Sequence, residues 1–124
     1  MHYRLLFGAT PIAEIHKDDA DFPTFFGRIE FLPSLRSLPE LREVLEYVDY
    51  SLRAWPLIEQ DRFDDPVFEE ELQHRAVINS DKWYLLDDRG TRIPILVPIF
   101  CTGNRLNWRL DLARSSAPTD PAKG

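Results

Sequence analysis

The sequence predicts an α+β fold: an antiparallel sheet of about five or six strands with one long helix, about 38–55, packed on one face. Three observations lead there. Short segments of alternating apolar residues fill both ends of the chain. A single long stripe at helical spacing lies between them. The resulting order, β-β-β-α-(α)-β-β-β, groups strands on either side of a helix, which is the pattern of an α+β domain.

The first strands come as a hairpin. Tyr3, Leu5 and Phe7 alternate with Arg4 and Leu6, Gly8-Ala9-Thr10-Pro11 supplies turn residues, and Ile12 to Lys17 resumes an extended pattern. Asp18-Asp19-Ala20-Asp21 reads as the polar turn that ends the second strand. A third strand runs through Phe25, Gly27, Ile29 and Phe31. A glycine where a side chain belongs marks a bulge or a close approach of another backbone.

The helical stripe is Leu41, Val44, Leu45, Val48, Leu52 and Trp55. Ser37-Leu38-Pro39-Glu40 has capping-box spacing, and Pro39 is tolerated in a first turn. Arg42 with Glu46 and Asp49 with Arg53 stand at i,i+4 on the wet face. Pro56 is expected to stop or kink the helix, because it removes an amide donor and clashes one turn back. Asp65-Pro66 then looks like an N-cap and a first-turn proline. Residues 67–75 could form a short helix with Phe68 and Leu72 inward, while Ala76-Val77-Ile78 could equally begin a strand.

The last third is β. Trp83 to Leu86 is a strand, Asp87-Asp88-Arg89-Gly90 a turn, and Ile93 to Phe100 the most apolar stretch. Pro94 and Pro98 remove amide donors from one edge of it, so an edge or a bulged strand is expected. Arg105 to Asp111 closes the domain, with Leu106, Trp108 and Leu110 on one face. Residues 1–111 are thus expected to form one compact domain, with 112–124 a disordered tail. One helix covers one face of a sheet. The other face must be polar, curled over or covered by a partner, which leaves a dimer open.

Composition narrows the function classes. The chain has 124 residues, with 15 Lys+Arg against 21 Asp+Glu, a net charge of −6. No apolar run approaches the ~20 residues of a membrane span. The one cysteine, Cys101, permits no internal disulfide and no multi-cysteine zinc site, and fits a reducing, cytoplasmic location. The N-terminus lacks the apolar stretch of a signal peptide. An acidic balance argues against nucleic acid as the partner.

The acidity is local. Residues 59–71 carry Glu59, Asp61, Asp64, Asp65, Glu69, Glu70 and Glu71 against Arg62 alone, so this segment holds the whole net charge. Unpaired carboxylates resist burial, so the segment faces water or a basic partner. It is either a solvated helix start and loop or an electrostatic docking surface.

Residues 3–111 resemble a group of small uncharacterised bacterial proteins. The resemblance rests on Asp21-Phe22-Pro23-Thr24-Phe25-Phe26-Gly27-Arg28-Ile29, on Leu86-Asp87-Asp88-Arg89-Gly90-Thr91-Arg92-Ile93-Pro94, and on Trp108-Arg109. Thr24-Phe25-Phe26 departs from the aromatic triplet of that pattern. The resemblance implies a cytosolic bacterial domain and brings no activity or catalytic residues.

Few residues suggest reaction chemistry. Asp18, Asp19 and Asp21 could offer oxygen ligands to Mg²⁺ or Ca²⁺, with His16 beside them as ligand or general base, although EF-hand spacing is lacking. Polar-turn and surface roles compete with that reading. Cys101 could be a nucleophile if His16 or His74 came near, but a thiol at a strand end is commonly structural. The aromatic residues Trp83, Trp108, Phe25 and Phe26 fit a core better than a stacking platform. No phosphate loop, dinucleotide fingerprint or hydrolase elbow is present. No cofactor and no catalytic residue are expected. The expected function is a non-catalytic interaction protein that binds a protein partner, basic in character, through residues 59–71 or a sheet face. An immunity or antitoxin-like role fits its size and acidity. The alternative is a small metal-dependent enzyme or ligand-binding module using His16, Asp18, Asp19 and Asp21.

Overall fold

A computed structural model describes residues 1–115. Seven strands form one antiparallel sheet: β1 (His2–Phe7), β2 (Thr10–Asp21), β3 (Thr24–Phe31), β4 (Trp83–Leu86), β5 (Arg92–Pro94), β6 (Ile99–Cys101) and β7 (Arg105–Arg109), in spatial order β5-β4-β1-β2-β3-β7-β6. Between β3 and β4 lie α1 (Ser34–Ser37), a 3₁₀ turn (Pro39–Leu41), α2 (Arg42–Glu59), a 3₁₀ helix (Pro66–His74) and α3 (Arg75–Ile78). A short α4 (Leu112–Ser115) follows β7. No helix among the described residues is long and apolar enough to cross a membrane.

The α+β class expected from the sequence is the one found. The strand count rises to seven because the apolar stretch 93–100 is split. Its first part, β5, pairs with β4, and its second, β6, pairs with β7. Between them Ile95 donates its amide to Trp83 on one side, while Leu96 donates to Arg109 on the other. The two ends of the sheet therefore meet at residues 95–96, and Ile95 bridges Leu110. Pro94 and Pro98 bracket this crossing, where the chain leaves one ladder for the next and missing donors cost little. The sheet curls, and its outer face is polar: His2, Arg4, Glu14, His16, Arg28 and Glu30 lie there on neighbouring strands.

The enclosed face packs against α2. Leu5, Ile12, Ile15, Ile29, Trp83, Leu85, Ile95, Phe100 and Leu106 meet Leu41, Val44, Tyr47, Val48 and Ala54 in one core. The buried side of α2 is rotated from the expected stripe. Tyr47, Tyr50, Ser51 and Ala54 are inside, while Leu45, Leu52 and Trp55 are half-buried. Two buried polar contacts fix this rotation. The Tyr47 hydroxyl donates to the Pro98 carbonyl (2.8 Å). Ser51 Oγ accepts from the Phe100 amide (2.9 Å) and donates to the Phe100 carbonyl (3.0 Å). The outer edge of β6 is thus closed by a side chain rather than by a strand. Ser51→Ala would leave both Phe100 groups unpaired in the interior. It is expected to cost about 1–3 kcal/mol in a urea titration, with the slope unchanged.

Several local expectations are corrected. The helix does not stop at Pro56 but runs to Glu59, because the proline falls in its last turn where one lost bond is tolerable. The Ser37–Glu40 capping box does not form: Ser37 closes α1, and no side chain caps the turn at Pro39. Asp18 to Asp21 is not a turn but the end of β2, pairing with β3 after a bulge between Lys17 and Asp19. Residues 67–78 are helical, and Asp65 caps them as expected, accepting from the Val67 amide (3.0 Å). The helix is of 3₁₀ type, with three residues per turn, so Phe68, Glu71 and His74 share a face and Leu72 points outward, 67% exposed. Residues 112–115 of the expected tail form α4, where Arg114 bonds the Ile95 carbonyl (2.8 Å) and Asp111 (2.7 Å) at the point of sheet closure. The rest of that expected tail lies outside the described residues.

Candidate functional site

The 3₁₀ face that carries Phe68, Glu71 and His74 turns toward α2. Phe68 and Glu71 border a cleft of about 340 Å³ there, and Tyr50, Ala54 and Ile58 of α2 form its floor. Val97 and Ile99, on either side of Pro98, form the opposite wall. Phe63 comes from the loop after α2 and lies against Phe68, ring centroids 5.8 Å apart. Phe63 is 59% exposed. A second groove of about 450 Å³, lined by Thr24, Leu96, Asn107, Trp108 and Arg109, shares Val97 and Ile99 with the first. An apolar surface therefore runs from the acidic segment across the 96–99 crossing to β7.

The acidic residues of 59–71 divide into two groups. Two are spent on structure. Asp65 caps the 3₁₀ helix and lies 3.7 Å from Arg62. Glu70 takes a two-pronged bond from Arg53 (2.8 and 3.0 Å), which ties the segment to α2 and holds the Glu70 carboxyl below its usual range. Arg53 was expected to pair with Asp49; the guanidinium fork instead reaches across 17 positions to a bidentate partner. The other five, Glu59, Asp61, Asp64, Glu69 and Glu71, make no ion pair among the described residues. Asp61 sits in the left-handed region (φ 56°) of the turn that follows α2. Glu71 is the one that lines the cleft.

Two further groups lie beneath. Burial, then the charges of Glu71 and Glu70, push the Tyr50 hydroxyl up from its ordinary value, so it stays protonated at neutral pH. His74 is buried against the rings of Tyr50 (5.0 Å) and Tyr47 (6.3 Å), and its Nε2 has no hydrogen-bond partner.

The residues of the metal reading do not converge. Asp18 is held by Arg105 through two bonds (2.7 and 3.0 Å), which keeps its carboxyl below the usual range. Asp19 bonds the Ala20 amide, and Asp21 ends β2. His16 packs its ring edge-on against His2 at 4.7 Å. Among the described residues no three His, Cys, Asp or Glu side chains stand where they could hold a metal ion. Cys101 is buried, with Sγ 3.6 Å from the Ile99 carbonyl, and burial pushes its thiol up to about 11. At neutral pH it is a protonated thiol, and a poor nucleophile.

Sequence reasoning missed Tyr50, Phe63, Phe68, Val97 and Ile99 as a set. One signal was available: two phenylalanines inside an otherwise charged run have no reason to be there unless they meet something apolar. No protein-family model, no curated protein and no solved structure matches the chain.

Proposed function

We propose that this chain is a non-catalytic binding protein whose segment 59–71 docks a basic protein partner. One observation carries the reading: a segment with five carboxylates that make no ion pair among the described residues also holds one wall of an apolar cleft, with Glu71 in its lining and the exposed Phe63 ring beside it. A merely solvated acidic loop has no need of that ring. Charges at the rim steer encounter, and apolar contact at the centre holds the complex. The partner is a protein rather than nucleic acid, which the same carboxylates would repel. A cytoplasmic, bacterial setting and an immunity or antitoxin-like role, in which the acidic surface masks a basic functional face, complete the proposal.

The test is kinetic. A partner is captured from native lysate and its association measured from low to high salt, with the variant Asp64→Asn, Glu69→Gln, Glu71→Gln alongside. Glu70 is left in place because it anchors the segment to Arg53. Wild-type association should slow steeply with salt, since exposed charges are screened over about 8–10 Å near physiological ionic strength. The variant should associate several-fold more slowly at low salt and lose most of that dependence, with its melting temperature unchanged. Equal rates for the two proteins across the salt series would remove the docking role.

A further inference from the structure

The cleft has a narrower chemistry than its acidic surroundings. We infer that it receives one cationic side chain, Lys or Arg, of the basic partner, an inference that rests on the docking reading above. Its walls are apolar on three sides: Ile58 and Ala54 from α2, Val97 and Ile99 from the strand crossing, and the Phe63–Phe68 ring pair. Two groups among its lining can still bind something polar. One is the Glu71 carboxylate, which has no ion pair among the described residues; the other is the Tyr50 hydroxyl, which makes no hydrogen bond among them. Ser51 also lines the cleft, but its hydroxyl is already committed in both directions to Phe100.

That combination selects the occupant. An apolar side chain would cover Val97 and Ile99 but would strip water from Glu71 and return nothing. An anionic group would meet the Glu71 carboxylate in the cleft and the negative field of the acidic segment around it. A Lys or Arg side chain satisfies all the surfaces together. Its methylenes lie along the aliphatic wall, its N–H donors meet Glu71 and Tyr50, and its charge lies near the faces of Phe63 and Phe68. At about 340 Å³ the cleft is at the small end of ligand sites, a size that suits one side chain rather than a whole peptide. The 3₁₀ register shapes the site: at three residues per turn Phe68 and Glu71 stand in one line, whereas at 3.6 residues per turn Leu72 would share that face with them.

The experiment uses isotope-labelled full chain and amide chemical shifts. Four probes are titrated: the Nα-acetyl amides of arginine and lysine, and those of citrulline and norleucine, which keep the shape but lack the charge. A hepta-arginine peptide is titrated separately, in low and high salt. Arginine or lysine amide should shift Tyr50, Phe63, Phe68 and Glu71, with the neutral analogues at least tenfold weaker. Glu71→Gln should weaken the charged probes at least fivefold, and Phe63→Ala should weaken them as well; both positions are exposed, and unchanged melting temperatures would show the fold intact. Norleucine amide binding as well as lysine amide overturns the inference and leaves the docking reading standing. So does an undisturbed cleft if hepta-arginine still shifts residues 59–71 in a salt-dependent way. If neither the single side chains nor hepta-arginine shifts that segment, the inference and the docking reading fall together.

Discussion

Val48→Asp is expected to abolish cooperative folding. Val48 lies midway along α2, 2% exposed, within the core that α2 shares with the enclosed face of the sheet. The core around it is aliphatic and aromatic, so a carboxylate placed there would lose its water or would be forced to take up a proton. Either outcome costs several kcal/mol, to which the lost burial of valine adds about 2 kcal/mol. The sum is of the order of the whole margin of a domain this size, about 5–15 kcal/mol. Circular dichroism on heating should show no sharp transition, or the variant should be insoluble. Val48→Ala removes the same contacts without the charge and should melt cooperatively, destabilised by about 2–3 kcal/mol. A Val48→Asp protein with a wild-type melting curve would mean that α2 does not bury this face.

Periodicity made α2 legible, but only in part. The stripe of Leu41, Val44 and Val48 is in the core as its spacing implied. Farther along, the buried face moves from Leu52 and Trp55 to Tyr50, Ser51 and Ala54. The cause is non-local: β6 presents unpaired backbone groups at Phe100, and a serine hydroxyl serves them where a leucine would not. Composition patterns do not encode that kind of demand. Leu72 illustrates a second limit. An α-helical template places it with Phe68, whereas a 3₁₀ helix places Glu71 there instead. Nothing in Pro66 to His74 distinguishes the two geometries by residue type.

The candidate site shows the same division. Its charge could be counted from residues 59–71 directly. Which carboxylates remain open could not, because Glu70 is taken by Arg53 from 17 positions away and Asp65 by its own helix. The cleft wall was hidden for a related reason: Val97 and Ile99 belong to a stretch that reads as one strand, and they face outward only because that stretch breaks at the crossing. Gly27, by contrast, was legible as a close backbone approach, and its consequence can be tested.

Gly27→Val is expected to destabilise the protein by about 3 kcal/mol or more, because no room exists for a side chain. A Cβ on Gly27 would lie 2.6 Å from the His16 carbonyl oxygen, 3.1 Å from its carbon and 3.2 Å from the Lys17 Cα. All three are backbone atoms of β2, at the bulge between Lys17 and Asp19, so no rotamer change relieves the contact. The strands must separate locally, which strains the β2–β3 ladder on one side and the β3–β7 ladder, where Gly27 pairs Leu106, on the other. Gly27→Ala should cost about 1–3 kcal/mol, the lower figure applying if the bulge can widen. The cost should grow from alanine to valine. Gly103→Ala separates this clash from ordinary glycine strain. Gly103 has φ +80° with open space around its Cβ, so its substitution should cost only about 1 kcal/mol of backbone strain. Denaturant titration of the four proteins should rank them wild type, Gly103→Ala, Gly27→Ala, Gly27→Val. A Gly27→Val protein as stable as wild type would mean that β2 and β3 do not approach each other at the bulge as described.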